Sequence, residues 1–319
     1  MKLPCRIGLA PMAGYTDKVF RDIAYIMGAC FAYTEMISAK SVLVSPDTVN
    51  EMLPVGEPRT AVQILGNDPE IISEAVLSIR NRVIWIDLNA GCPVKKVLKK
   101  DMGGALLRDL HRLKTIVKTL KENTNVPVSV KTRLGFEDVE IERIYSELVE
   151  AGVDLVAVHA RTVKQGFKGS ANWKALSRIV ERPVPIFISG DIFSPEDAMR
   201  ALDASGADGV LVARGGIGNP WIFEQIKEYE RSGTYTIPKP GERLSLFREH
   251  LLRKAEIYGE RKGVVEMRKF VSGYTKGLTD SRKFRTEFMK VERLKDALKL
   301  IDSYAKHLTS HRSLSTPNT

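Results

Sequence analysis

The sequence predicts an α/β protein: a (β/α)8 TIM barrel over residues 1–238, followed by a small helical bundle over residues 239–319. Three observations lead there. Eight short apolar runs, too continuous for half-exposed strands, alternate with longer amphipathic segments through the first 216 residues. Ala151-Gly152-Val153-Asp154-Leu155-Val156 is echoed by Ser205-Gly206-Ala207-Asp208-Gly209-Val210, as expected where a helix ends on a left-handed Gly and the next strand begins. The hydrophobic period then changes after Pro238-Lys239-Pro240-Gly241, which cannot continue a helix. Eight buried strands in βαβ units close a barrel at this length, with an open doubly wound sheet as the alternative.

Taken in order, the first strand is Ile7 to Met12, running into Ala10-Pro11-Met12-Ala13-Gly14, and the second is Phe31 to Met36. The third, Thr60 to Leu65, carries Gln63, and the fourth, Ile84 to Asn89, leads into Asn89-Ala90-Gly91-Cys92-Pro93. Val126 to Lys131 ends in Lys131-Thr132-Arg133, and Leu155 to His159 in His159-Ala160-Arg161. Pro185 to Ser189 ends in Ser189-Gly190-Asp191, and Gly209 to Ala213 in Ala213-Arg214-Gly215-Gly216. In a barrel the loops leaving these strand ends build the site, so polar clusters at seven of them point to a site rather than to packing. Beyond the boundary, Leu244, Phe247, Leu251, Ala255 and Tyr258 follow helical spacing, as do Phe288, Val291, Leu294, Leu298, Ile301, Ala305 and Leu308.

With 43% hydrophobic and 28% charged residues the composition is that of an ordinary globular chain, not a disordered one. No apolar run approaches the roughly 18 residues that span a bilayer, and the first residues lack a signal peptide's apolar stretch. A cytoplasmic location is expected, and nothing calls for a membrane, a metal or an obligate protein partner. Cys5, Cys30 and Cys92 are too few and too widely spaced for a disulfide framework or a zinc site. Cys5 and Cys30 read as separate structural residues, Cys30 as a small buried hydrophobe. His111, His250, His307 and His311 read as surface helix residues. Of the net charge of +10, residues 1–239 contribute 31 Lys and Arg against 29 Asp and Glu, and residues 240–319 contribute 18 against 10. This asymmetry fits contact with a polyanion, although a solvated helical face produces the same excess.

Small residues after the seventh and eighth strands let backbone N–H groups approach an anion, where barrels commonly hold a phosphate, so a phosphorylated ligand is expected. Lys131 leaves an apolar strand, where an unpaired ammonium is costly, and should meet a negative partner. Three roles fit it: stabilising the N1/C2=O edge of a flavin, Schiff-base chemistry, or snorkelling at a strand end. Cys92 stands in a rigid Gly-Cys-Pro turn. A free thiol, with pKa about 8.5, is mostly protonated at neutral pH, so it can serve as acid or as nucleophile.

Taken together, Leu9-Ala10-Pro11-Met12-Ala13-Gly14-Tyr15-Thr16-Asp17, Asn89-x-Gly91-Cys92-Pro93, Lys131-Thr132-Arg133-Leu134-Gly135, His159-Ala160-Arg161 and Gly218-Asn219-Pro220-Trp221 resemble the tRNA-dihydrouridine synthases. The resemblance implies FMN as cofactor. Pro11, Met12 and Ala13 would contact the flavin ring by backbone, Gln63 and Lys131 its polar edge, and Ser189, Gly190, Asp191, Ala213 and Arg214 its phosphate, with His159 close by. Ser189 stands where the family usually has Asn and Ala213 where it usually has Gly; backbone binding tolerates both. In the tail, Arg268-Lys269-Phe270 resembles a family Arg-Lys-His run with Phe in the His position.

The reaction so implied reduces the C5=C6 bond of a tRNA uridine, hydride adding at C6 from flavin N5 and a proton reaching C5 from Cys92. NADPH, or NADH, would reduce the flavin. Asn89, Arg133 and Arg161 would hold the base and its neighbourhood, and the basic tail, with Arg268, Lys269, Lys276, Arg282, Lys283 and Arg285, would hold RNA phosphates. Two rivals are an FMN barrel acting on a free pyrimidine, which leaves the basic tail idle, and an RNA-binding protein without catalysis, which has no need of Cys92 or Lys131.

Overall fold

The computed structural model describes residues 5–313 apart from 55 and 58. The chain divides into two compact units: the part up to Gly215 together with Ile222–Gly233, and Gly216–Trp221 together with the part from Thr234 onward.

The first unit is a closed parallel barrel. Its strands are β1 (Ile7–Leu9), β2 (Phe31–Tyr33), β3 (Ile37–Ser38), β4 (Thr60–Leu65), β5 (Ile86–Ala90), β6 (Val128–Arg133), β7 (Leu155–His159), β8 (Ile186–Ser189) and β9 (Gly209–Val212). Neighbours pair in parallel around the ring, which β1–β9 and β2–β4 contacts close. Eight of these are the expected staves; β3 is an extra two-residue strand lying along Ile64 and Leu65. β1 is shorter than the sequence suggests, because Ala10 makes the last ladder bond, to Val212 O at 2.8 Å, and Pro11 has no N–H to continue it. β6 runs two residues further than expected, bringing Arg133 opposite His159.

Side-chain caps start the helices that follow β1, β4 and β8, with Asp17, Asp68 and Ser194 accepting backbone N–H groups. The two echoed stretches do matching work. Gly152 and Gly206 both adopt positive φ, 85° and 62°. Asp154 and Asp208 each accept the N–H that opens the preceding strand, Val128 N at 2.7 Å and Ile186 N at 2.8 Å.

Alternation along each strand sorts the barrel interior into tiers. The lower tier is aromatic: Phe31 packs 5.6 Å from Trp85 and 5.2 Å from Phe187, Tyr33 lies 5.2 Å from Trp85, and Leu155 and Leu211 fill the gaps. The next inward positions, toward the C-terminal strand ends, are polar: Gln63, Asp87, Asn89, Ser129, Lys131, Arg133, His159 and Ser189. Dry packing below thus supports a polar floor above.

The expectations for Cys5, Cys30 and His250 need correction. Cys5 and Cys30 are a disulfide pair, with Cα atoms 5.8 Å apart, not separate structural residues. The 25-residue separation hides this, but β1 and β2 are adjacent parallel strands, and Cys30 N bonds to Ile7 O at 2.9 Å, so the residues entering them meet. His250 is fully buried rather than a surface residue. It lies on the stripe of Phe247 and Leu251, packs 4.6 Å from Phe270, and its Nδ1 lies 3.2 Å from Tyr274 Oη. Burial holds its imidazole well below the ordinary range. His111 is exposed and His307 partly so, while the side chain of His311 lies outside the described residues.

The second unit contains helices Pro240–Tyr258, Glu260–Met267, Val271–Tyr274, Ser281–Phe288 and Leu294–Ser313. Phe247, Met267, Phe270, Tyr274, Phe284 and Phe288 form its core. In the last helix Ala297, Ile301 and Tyr304 are buried, while Leu294, Leu298, Ala305 and Leu308 of the expected stripe are half-buried. The break at residues 289–293 ends one helix and starts the next on a new register. Gly218-Asn219-Pro220-Trp221 belongs to this unit, Gly218 passing so close to Phe270 O that a Cβ there would lie 2.5 Å from it.

Candidate active site

Asn89 builds the turn that carries Cys92. Its Oδ1 accepts the N–H groups of Gly91 (3.2 Å) and Cys92 (3.0 Å), and its Nδ2 donates to Gln63 Oε1 at 2.8 Å. Gly104 N donates to Cys92 O at 3.0 Å, which ties the turn to the following segment. The Cys92 thiol is free and half-buried.

Arg133 is 3% exposed and spends its guanidinium on backbone carbonyls: Gly91 O at 2.8 Å, Thr162 O at 2.9 Å and Gly166 O at 2.8 Å. It therefore clamps the Cys92 turn to the loop after β7. Arg161 does similar work one strand on, bonding Lys168 O (3.2 Å), Gly169 O (2.6 Å) and Asp191 Oδ2 (2.5 Å), with Nη1 buried and unpartnered among the described residues. The side chains of Asn89, Arg133 and Arg161, expected at the base, each also hold neighbouring parts of the chain.

Lys131 has no hydrogen-bond or ion-pair partner among the described residues. Burial and neighbouring Arg133 lower its pKa to about 8, against the pull of Asp87 and Cys92. His159 has its Nδ1 buried without a partner among the described residues, and burial together with Arg133, Lys131, Arg161 and Arg214 pushes it down to about 2, so the imidazole is neutral. Asp87, fully buried, is raised to about 6 by burial, against the hydrogen bonds of Ser129 and Gln63 and the charge of Lys131.

The other expected residues lie at the same strand ends. Pro11 and Met12 are half-buried and Ala13 exposed. Met12 O receives Tyr15 N and Thr16 N, and Met12 N donates to Thr16 Oγ1 at 3.1 Å, so this turn is held internally. Ser189 is buried, its hydroxyl 3.4 Å from Val158 O. Gly190 has φ 112°, and a Cβ there would stand 3.3 Å from His159 Nε2; at Gly215 a Cβ would lie 2.2 Å from Ile192 O. Side chains are thus excluded where backbone has to come close. Asp191 receives Arg161, Ala171 N (2.8 Å) and Arg214 (3.3 Å); burial opposes ionisation, but these partners hold the carboxyl below its usual range. Ala213 is half-buried, and the exposed Arg214 sits between Phe167 and Phe193, 5.1 and 5.4 Å from the two ring centroids.

The polar strand ends therefore converge on one barrel mouth, in the order the sequence motifs set out. A family model described as dihydrouridine synthase matches residues 8–310. The chain belongs to the dihydrouridine synthase family. It is 34% identical over 313 residues to a tRNA-dihydrouridine synthase B of Shewanella oneidensis, covering 95% of this chain and 96% of the relative. To a probable tRNA-dihydrouridine synthase of Aquifex aeolicus it is 37% identical over 301 residues, covering 92% and 94%. A tRNA-dihydrouridine synthase B of Pseudomonas aeruginosa is 37% identical over 298 residues, covering 91% and 90%.

In the helical unit of this dihydrouridine synthase the expected RNA-binding residues divide. Arg268 bonds Val291 O at 3.0 Å and lies 3.9 Å from Glu292, while Lys269 lies 3.7 Å from Glu266. Arg285 folds back onto Ser281 O of its own helix at 3.2 Å. Arg282 and Lys283 are exposed and have no partner among the described residues. Sequence reasoning overlooked Asp87, Ser129 and Phe167. For Asp87 the signal was present: a carboxylate inside Ile84-Trp85-Ile86-Asp87-Leu88 is as anomalous as Lys131.

Proposed function

We propose that this enzyme reduces the C5=C6 bond of a uridine in tRNA to 5,6-dihydrouridine, with FMN held at the barrel mouth and NADPH, or NADH, as reductant. The observation that carries the reading is the meeting, at one mouth, of the thiol-bearing Cys92 turn with half-buried Lys131 and with His159, whose Nδ1 is buried, neither nitrogen having a partner among the described residues. These groups fit a flavin. Lys131 supplies a cation for its N1/C2=O edge, His159 a neutral imidazole nitrogen, and Gln63 the one amide hydrogen not given to Asp87. The turns at Gly190 and Gly215, with Arg214 beside them, fit its phosphate. Pro11, Met12 and Ala13 line the same rim. Bound there, FMN supplies hydride to C6 of the uracil ring.

The chain's own residues do the rest. Asn89 holds the turn that presents Cys92, whose thiol delivers the proton to C5. Arg133 and Arg161 keep the surrounding loops in place, so the base enters a rigid opening. Extruding a stacked uridine costs a few kcal/mol, which phosphate contacts to Arg282, Lys283 and neighbouring basic residues offset.

The test is to purify the protein, record its flavin spectrum, and follow NADPH oxidation with unmodified tRNA and with free uridine. The reading expects a bound flavin and turnover on tRNA. A colourless protein that flavin does not reconstitute, or turnover on free pyrimidine alone, would overturn it.

A further inference from the structure

Within the barrel, the mechanism above leaves the buried carboxylate of Asp87 unused. Asp87 points into the barrel, two residues before Asn89 on the same face of β5, and both its oxygens are engaged. Oδ1 accepts the Ser129 hydroxyl, and Oδ2 accepts Gln63 Nε2 at 2.7 Å. Ser129 is itself fixed, because its oxygen receives Trp85 Nε1 at 2.9 Å and its proton is directed to Asp87.

Amide side chains have nearly the same shape either way round, so their polarity is set by their partners. An ionised carboxylate only accepts, so Gln63 turns its nitrogen to Asp87. That leaves Oε1 on the other side, where it accepts Asn89 Nδ2 at 2.8 Å. Asn89 then has only Oδ1 for the backbone N–H groups of Gly91 and Cys92. Each bond in the series fixes the direction of the next.

We propose that Asp87 is a positioning residue: it sets the amide polarity of Gln63 and Asn89 and thereby holds the Cys92 turn in its working form. The part Cys92 plays in catalysis rests on the function proposed above; the hydrogen-bond series does not. A neutral amide of the same size would be less costly to bury, but it would accept either orientation of Gln63. The charged and titratable groups facing Asp87 are Lys131 on β6 and Tyr33 on β2. With its pKa raised to about 6, ionised Asp87 opposes folding: stability is greatest below the unfolded-state value and is lost as pH rises through 6.

The experiment uses full-length protein and measures hydrogen exchange of the peptide covering residues 89–93. In Asp87→Asn both orientations of Gln63 become accessible, and exchange of the turn is expected to rise about tenfold while β7 is unchanged. The melting temperature at pH 8 should not fall, yet kcat for uridine reduction should drop about tenfold. Adding Gln63→Glu to that variant places a carboxylate where it again accepts Asn89 Nδ2, and turn exchange should return to within about twofold of the original.

The proposal is overturned if Asp87→Asn leaves turn exchange unchanged, or if the double variant exchanges as fast as the single one. Should Asp87→Asn not fold, the unmodified protein decides. Turn protection, corrected for intrinsic exchange, falls selectively as pH drops through about 6 if Asp87 acts this way, and stays flat if it does not. A protein inactive on every uridine substrate whose turn still loosens in the single variant and tightens in the double would sink the proposed function and leave this positioning role standing.

Discussion

The barrel mouth and the helical unit both carry arginines, and Arg133 and Arg161 in the first are used in the opposite way to Arg282 in the second. Arg133 and Arg161 are buried and bonded to backbone carbonyls, Arg161 also to the Asp191 carboxylate, so they help to build the mouth. Arg282 and Lys283 are exposed with no partner among the described residues, so their charge is left for solvent or a ligand. The lesson is that a guanidinium's burial and acceptors, more than its place in a motif, decide whether it shapes a site or binds through it.

The largest expected contrast comes from removing the buried Arg133 on one side and the exposed Arg282 and Lys283 on the other. Arg133→Ala leaves three carbonyls without a donor and should cost about 3 kcal/mol of stability while nearly abolishing turnover. Denaturant titration and kcat measure it. Arg282→Ala with Lys283→Ala should leave the melting temperature unchanged, raise KM for tRNA several-fold and flatten the dependence of log KM on log salt by about one to two. A stable Arg133→Ala, or an Arg282/Lys283 variant that binds tRNA normally at every salt concentration, would break the contrast.

Lys131→Met tests the mouth from another side. It removes a cation whose pKa is lowered to about 8, so FMN affinity should fall roughly tenfold, as read by fluorescence titration of flavin-free protein. In the unmodified protein the same cation is lost as pH rises through about 8, and FMN affinity should decline over that range. The smallest effect concerns the far end of the barrel: reducing the Cys5–Cys30 disulfide should lower the melting temperature by a few degrees without changing kcat. Thiol counting by mass spectrometry should find Cys92 as the one free cysteine before reduction and all three after it.

Much of this architecture was legible in the sequence because burial leaves a mark. Each barrel stave is an apolar run, Pro11 ends the first, and Asp154 and Asp208 repeat one hydrogen bond at repeated positions. The Cys92 turn was legible too, since Asn, Gly and Pro constrain it locally. What escaped depends on direction across space. Spacing says that Arg133 and Arg161 end strands, not that their guanidinium groups turn onto loop carbonyls. It puts Cys5 and Cys30 far apart although adjacent staves bring them together. His250 was misjudged because His at a helical position is compatible with either face, and only packing against Phe270 and Tyr274 settles which. Asp87 was overlooked although the reasoning applied to Lys131 covers it equally.

The proposed mechanism stands or falls with Cys92 as the proton donor in uridine reduction. The most direct measurement separates the two halves of the reaction in Cys92→Ala. Flavin content and reduction by NADPH, followed at the flavin absorbance band, should match the unmodified enzyme. Single-turnover reduction of tRNA uridine by the pre-reduced variant should be slower by about a hundredfold or more. Full-rate uridine reduction without this thiol would contradict the account.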